Sequence, residues 1–172
     1  MVGQASWMGE GALAAIGATP AVRLCHLVDA GMAEIWVKME AANPTGSYKD
    51  RMARAMIEGA EHSGRLAPGQ PVVEYTGGST GSSLAFVCAI TGHPLHIVTS
   101  DAFSREKLDH MRLLGARLTI LPSEDGRMTA GLTRAMIAAA SAIVAKTGAT
   151  LVSIMCDTGM KYLKAFDAEL PA

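Results

Sequence analysis

The chain has 172 residues, 49% hydrophobic and 18% charged, with a formal net charge of −1; that is the size of one domain with its own core, not a disordered segment. With 15 basic against 16 acidic side chains and only 5% aromatic residues, it offers neither a basic footprint for nucleic acid nor a stacking platform for single strands. No run approaches the ~20 apolar residues of a membrane helix, no basic region with an apolar run opens the chain, and the scattered Cys25, Cys88 and Cys156 suggest no disulfide framework, so a cytoplasmic protein without membrane contact is expected.

In chain order, Glu34 to Lys38 (EIWVK) reads as a strand. Tyr48 to Ser63 reads as a helix, with Met52, Met56 and Ala60 on one face. PVVEY, ending at Tyr75, is strand-like; Gly81 to Thr91 is helical, with Leu84, Val87 and Cys88 as its apolar stripe. PLHIVTS is the next strand. The helix Ser104 to Leu114 turns Leu108, Met111 and Leu114 inward and stops at Gly115. RLTILP is a strand, and Arg127 to Thr147 is a longer helix with Leu132, Met136, Ala139 and Ile143 on one side, stopped by Gly148. ATLVSIM is the last strand, and a short helix follows around Met160 to Phe166. Strands alternating with helices of this length predict an α/β fold, a parallel sheet with flanking helices, whose ligands sit at the carboxyl ends of the strands. The whole chain, 1–172, reads as a single shortened domain. His93 and His96 straddle a strand start without H-E-x-x-H or C-x-x-C company, so no metal site is expected.

Three loops carry candidate chemistry. In NPTGSYKDR (Asn43 to Arg51), Asn43 to Gly46 form a tight turn, and Ser47 with Asp50 three residues on fits a helix N-cap with an acidic third residue. Lys49 then lies in the first turn, where the helix dipole is positive. That is an unfavourable place for an ammonium and a favourable one for the neutral amine that attacks an aldehyde; the alternative is a surface lysine beside an ordinary cap. In TGGSTGS (Thr76 to Ser82), three glycines allow close backbone approach, and hydroxyls flank a helix start, which suits a carboxylate or small anion. The pattern is neither G-x-G-x-x-G nor a Walker loop, and a bare turn is the alternative. CDTG (Cys156 to Gly159) is no aspartic-protease signal in a βα chain. Thr158 there is placed either to bond a ring nitrogen or to cap the last helix.

Together these strings resemble the cysteine synthase / cystathionine β-synthase family of pyridoxal-phosphate enzymes, with the tryptophan-synthase-β-like fold (fold-type II). IGATPAVRL, NPTGSYKDR, EYTGGSTGSSLA, HIVTSDAFSREKLDHMRLLGARL and LVSIMCDTGMKYL occur in family order. Residues 34–126 resemble the small domain, and 151–163 the C-terminal pyridine-contact segment. The resemblance implies pyridoxal 5′-phosphate as cofactor and Lys49 as the catalytic Schiff-base lysine. It implies Thr76, Gly77, Gly78, Ser79 and Thr80 as the loop holding a small amino-acid substrate by its carboxylate, Ser79 facing the cofactor's ring hydroxyl, and Thr158 facing the pyridine nitrogen. The implied activity is β-replacement or β-elimination, as in cysteine biosynthesis, or else hydroxyamino-acid dehydration.

The sequence departs from the family in two places. Ser79 stands where many members have asparagine. No second glycine-rich loop of the GTGGT kind follows Gly81, where only isolated glycines such as Gly92, Gly115 and Gly131 occur. The C-terminal signature therefore arrives early, as though the central part were deleted between about Leu132 and Gly148. A shortened, non-catalytic relative acting as a binding or oligomerisation module is the competing expectation, with apolar surface left uncovered and homo-oligomers formed.

Overall fold

The computed structural model describes residues 11–26, 28–29 and 31–152. A short antiparallel ribbon, β1 (Ala21–Arg23) against β2 (Trp36–Lys38), precedes the main body. There follow α1 (Lys49–His62), β3 (Val72–Tyr75), α2 (Ser79–Thr91), β4 (Leu95–Ser100), α3 (Arg105–Leu113), β5 (Arg117–Leu121), α4 (Ala130–Thr147) and β6 (Thr150–Leu151). The four strands β3 to β6 form one parallel sheet in the order β5-β4-β3-β6. The expected α/β alternation is therefore present, with the ribbon as an unforeseen antiparallel addition.

The order explains the layers. The sheet grows outward from β3 through β4 to β5, and then the chain reverses to place β6 on the other side of β3. Right-handed crossovers put the connecting helices of opposite growth directions on opposite faces. Accordingly α1, α2 and α3 share one core with Val72, Leu95 and Ile97, while α4 packs Leu132, Met136 and Ala140 on Val73 and Val98. Successive strand residues point to alternate faces, so both faces of β3 and β4 must be apolar. The chain reverses direction between β3 and β6, and the carboxyl ends of the strands at such a reversal are where sheets of this kind take ligands.

The helix bounds fall within a few residues of the sequence pattern. Gly115 and Gly148 adopt the left-handed backbone that stops α3 and α4, with φ of 89° and 65°. The α4 helix starts at Ala130 rather than Arg127, because the Thr129 hydroxyl accepts the Leu132 N–H at 3.1 Å and caps it there. The β2 strand is shorter than EIWVK suggested, and of ATLVSIM only Thr150–Leu151 pairs within the described residues. The helix expected around Met160 to Phe166 lies outside them.

The face assigned to α1 needs correction. Its buried residues are Asp50, Ala53, Ile57 and Ala60; of the expected face, Ala60 is buried and Met56 packs on the core, while Met52 lies to one side of it. Both sets have helical spacing, and hydropathy alone favours methionine; a buried polar network around Asp50 turns the helix instead. His93 is likewise structural: its ring nitrogens sit 2.9 Å from the Gln70 carbonyl and 3.0 Å from Glu61. Among the described residues no group of three ligating side chains gathers, and no helix is long and apolar enough to cross a membrane.

Ile57 is fully buried, so Ile57→Ala should cost about 2–5 kcal/mol in equilibrium denaturation. Met52→Ala, on the neighbouring face, should cost less than about 1 kcal/mol. Equal losses for the two would contradict the corrected orientation of α1.

Candidate functional site

Asn43 to Gly46 closes as the expected turn: the Gly46 N–H donates to the Asn43 carbonyl at 2.8 Å, and Gly46 takes a φ of 76°. The buried Asn43 accepts the Gly17 N–H at 2.9 Å and donates to Glu40, fastening the turn to the preceding chain. Glu40 also takes a two-pronged contact from Arg51, with Nε at 2.9 Å and Nη2 at 3.0 Å. The Arg51 guanidinium, with Thr19 and Asn43, holds the Glu40 carboxyl down at about 2.

The expected capping box does not form. Tyr48 precedes the first helical residue without a side-chain cap bond, and the Ser47 hydroxyl accepts only the Lys49 N–H, at 3.1 Å. Asp50 points inward. Its carboxylate accepts the Thr45 N–H at 2.8 Å, the Thr45 hydroxyl, and the Ser83 hydroxyl at 2.6 Å. Ser83 belongs to α2, and its oxygen also lies 3.2 Å from that of Thr45. This network draws the Lys49 turn against the first turns of the helix that follows TGGST. The Lys49 side chain is half-buried; its amine lies 4.7 Å from the centre of the Tyr48 ring, a cation–π contact, and makes no ion pair among the described residues.

The TGGST segment runs from the end of β3 into α2. Thr76 is tied by its N–H to the Val98 carbonyl at 3.0 Å. Gly78 is the N-cap and lends no side chain; the Gly81 N–H turns back to the Gly78 carbonyl at 3.0 Å, and the Ser79 and Thr80 amides lie at the positive end of the helix. Gly77 is required by packing against an aromatic ring, whereas at Gly81 the crowding comes from the flexible end of Met111. A Cβ on Gly77 would meet the Phe103 ring at 1.9 Å, and one on Gly81 would meet Met111 at 2.8 Å. Gly78 has open space around it. The hydroxyl-bearing Ser79 is exposed and Thr80 half-buried. Thr158 and its neighbours Cys156 and Asp157 lie outside the described residues.

Two features of this region gave no usable sequence signal. Asp50 reads as a capping acid, yet its partner Ser83 is 33 residues away. Glu74, just before the loop, is buried in the sheet. One of its oxygens accepts the Tyr75 N–H at 3.0 Å, while Oε2 has no partner among the described residues. Burial pushes its carboxyl up to about 8, the Tyr75 bond offsetting little of that.

A lysine at the start of one helix and a glycine-hydroxyl turn at the start of the next, tied by a buried carboxylate, form the same pair of motifs that the sequence resemblance implied. The family model described as pyridoxal-phosphate dependent enzyme matches residues 12–161. The chain belongs to this family. Among family members, it is 44% identical over 110 residues to a cysteine synthase of Staphylococcus aureus strain Mu50, covering 64% of this chain and 36% of that protein. It is 40% identical over 111 residues to cysteine synthase B of Escherichia coli K12, covering 64% and 37%. The crystal structure of an O-ureido-L-serine synthase superposes with a TM-score of 0.75 at 33% identity, covering 84% of this chain and 43% of that one. A hydrogen sulfide-producing enzyme of Fusobacterium nucleatum gives a TM-score of 0.76 at 30% identity, covering 87% and 47%. The chain thus spans between about a third and a half of the length of these family members, and the expected fold type is the one they share.

Two predictions follow from the loop. Glu74 holds its proton in the folded state up to about 8, against 4.5 for an ordinary glutamate. Its contribution to stability is therefore fully present below pH 4.5 and declines as pH rises towards 8, by roughly 3–5 kcal/mol in all. Urea midpoints measured across that window should fall for the wild type and flatten in Glu74→Gln; parallel curves for the two proteins would refute the assignment. Gly77→Ala should destabilise the fold by about 1–3 kcal/mol through overpacking. Phe103→Ala in the same chain should recover most of that loss, as read by thermal unfolding.

Proposed function

We propose that this chain presents the amine and carboxylate-gripping parts of a pyridoxal-phosphate site for β-replacement or β-elimination on a small amino acid, of the cysteine-synthase type. The observation that supports it most directly is the joining of the Lys49 turn to α2 through Asp50, Thr45 and Ser83, next to an uncapped helix start. Bound pyridoxal phosphate supplies an electron sink for the negative charge left when a Cα proton departs.

The residues present fit two ends of that cofactor–substrate pair. At the first, the Lys49 amine would hold the cofactor through its aldehyde carbon, with loss of water, and Lys49 Nζ, once free, would serve as the base for the substrate's Cα proton. At the second, the amides of Gly77 to Thr80 and the hydroxyls of Thr76, Ser79 and Thr80 hold the substrate carboxylate, with the helix dipole behind them. Ser79 is also the side chain closest in role to a ring-hydroxyl contact, and Thr158 is the candidate for the pyridine nitrogen. The phosphate end is not matched, because the sequence has no second glycine-rich loop. Each lost charge-assisted hydrogen bond to the phosphate costs about 1.5–3 kcal/mol of binding, so weak retention of the free cofactor belongs to this reading.

A second reading, a shortened relative serving as a binding or oligomerisation module, has its own support. Every residue of the β1–β2 ribbon is exposed, including Val22, Trp36 and Val37. Apolar surface of this kind favours self-association.

With pyridoxal phosphate added, the wild-type chain should develop the visible absorption band of a lysine-bound cofactor, and Lys49→Ala should not. Identical spectra for the two proteins would remove the first reading. Because cofactor retention is weak on the first reading too, the two are separated by the Lys49-dependent band at saturating cofactor, which a purely structural role does not produce.

A further inference from the structure

We infer that Asp50 is a positioning residue for the Lys49 amine, acting through Thr45 and Ser83 to hold the lysine turn in register with the carboxylate-gripping turn of α2. The inference rests on the lysine reading given above and extends it to a residue that touches neither cofactor nor substrate.

The argument begins with an unusual balance of charge. Asp50 is fully buried and sits one residue from a lysine and beside an arginine in sequence, yet it pairs with neither. Arg51 turns away to Glu40, and Lys49 lies over Tyr48. A carboxylate removed from water must find donors or become very costly. Asp50 finds three neutral ones: the Thr45 N–H, the Thr45 hydroxyl and the Ser83 hydroxyl.

Two consequences follow. The first is that the nearest carboxylate in sequence is fully engaged elsewhere, so it does not neutralise the Lys49 amine as an ion pair. The second is geometric. Thr45 lies in the turn before α1, Asp50 in the first turn of α1, and Ser83 in α2, one turn beyond Ser79 and Thr80. Ser83 is itself fully buried, so it cannot follow a displaced partner into solvent. One carboxylate therefore fixes the separation between the segment bearing the amine and the segment bearing the free amides. Lysine attack on an aldehyde held by other groups is sensitive to this separation, since a misplacement of ~1 Å costs up to about 100-fold in rate.

The test is reductive trapping. The full chain is treated with pyridoxal 5′-phosphate, and in parallel with pyridoxal, then with borohydride, and the modified lysine is located by peptide mass spectrometry. The wild type should be modified preferentially at Lys49 over Lys38, Lys107 and Lys146. In Ser83→Ala, which removes one donor from α2 and adds no bulk, the rate at Lys49 should fall about 3- to 10-fold. In Asp50→Asn, which places an amide donor against the Thr45 N–H, it should fall about 10- to 100-fold. Lys38, Lys107 and Lys146, already exposed, should keep their rates in both variants, and a native far-UV spectrum with cooperative thermal unfolding above the assay temperature separates this outcome from loss of structure, which would also abolish the preference for Lys49. Asp50→Ala combined with Ser83→Ala should be no slower than Asp50→Ala alone, because both remove one shared interaction. Wild-type selectivity that survives unchanged in Ser83→Ala and Asp50→Asn would overturn the positioning role while leaving the lysine reading intact. A wild type without preference for Lys49 would overturn the lysine reading, and this inference with it.

Discussion

The part of this fold most dependent on one interaction is the meeting of α1 and α2, and the Asp50 carboxylate governs it. A charge buried without a cation needs every available donor, and each charge-assisted bond of this kind contributes about 1.5–3 kcal/mol. Satisfying it sets the rotation of α1, brings Ala53 and Ile57 to the core in place of Met52, and fixes the Thr45 turn above α2. The outer network of Asn43, Glu40 and Arg51 then secures the same turn from the other side. The lysine is thus carried on a segment that is held at both ends, while its amine lies over Tyr48 and makes no ion pair among the described residues.

The TGGST turn is built by the opposite means, through the absence of side chains. Phe103 fills the space that a side chain on Gly77 would need, and the flexible end of Met111 crowds Gly81. The turn is firm because its neighbours press on bare backbone, and the residue at the helix start has no side chain to cap its amides. Beneath it, Glu74 brings an acid into the sheet that is favoured there only in its protonated form. Two glycines, an aromatic ring and a buried acid therefore meet at the turn between β3 and α2.

Local chemistry made much of this readable from the chain itself. The alternation of strands and helices, the glycine stops at Gly115 and Gly148, and the place of TGGST between a strand and a helix all follow from patterns spanning a few residues. The inward turn of Asp50 does not, because its partner Ser83 is distant in sequence and a capping acid shows the same local pattern. The α1 face is legible at Met56 and Ala60 but not at Met52 and Asp50, because methionine outranks aspartate in hydropathy and only the tertiary hydrogen bonds reverse that order. EIWVK is readable as the strand that holds β2, but β1 and its antiparallel pairing are not, because β1 has only three residues, too few for a period to show, and all are exposed.

The position of β6 also bears on how the chain assembles. Strands β3, β4 and β5 are neighbours in sequence as well as in space, and they can zip together as soon as they exist. The bonds that seat the last strand span far more chain: Gln70 to the Gly148 carbonyl across 78 residues, and Thr150 to the Arg65 carbonyl across 85. Closing so long a loop is entropically slow. During synthesis on the ribosome, the β3 edge therefore waits unpaired until all of α4 has emerged, and that interval is when the nascent chain is most exposed to wrong strand partners.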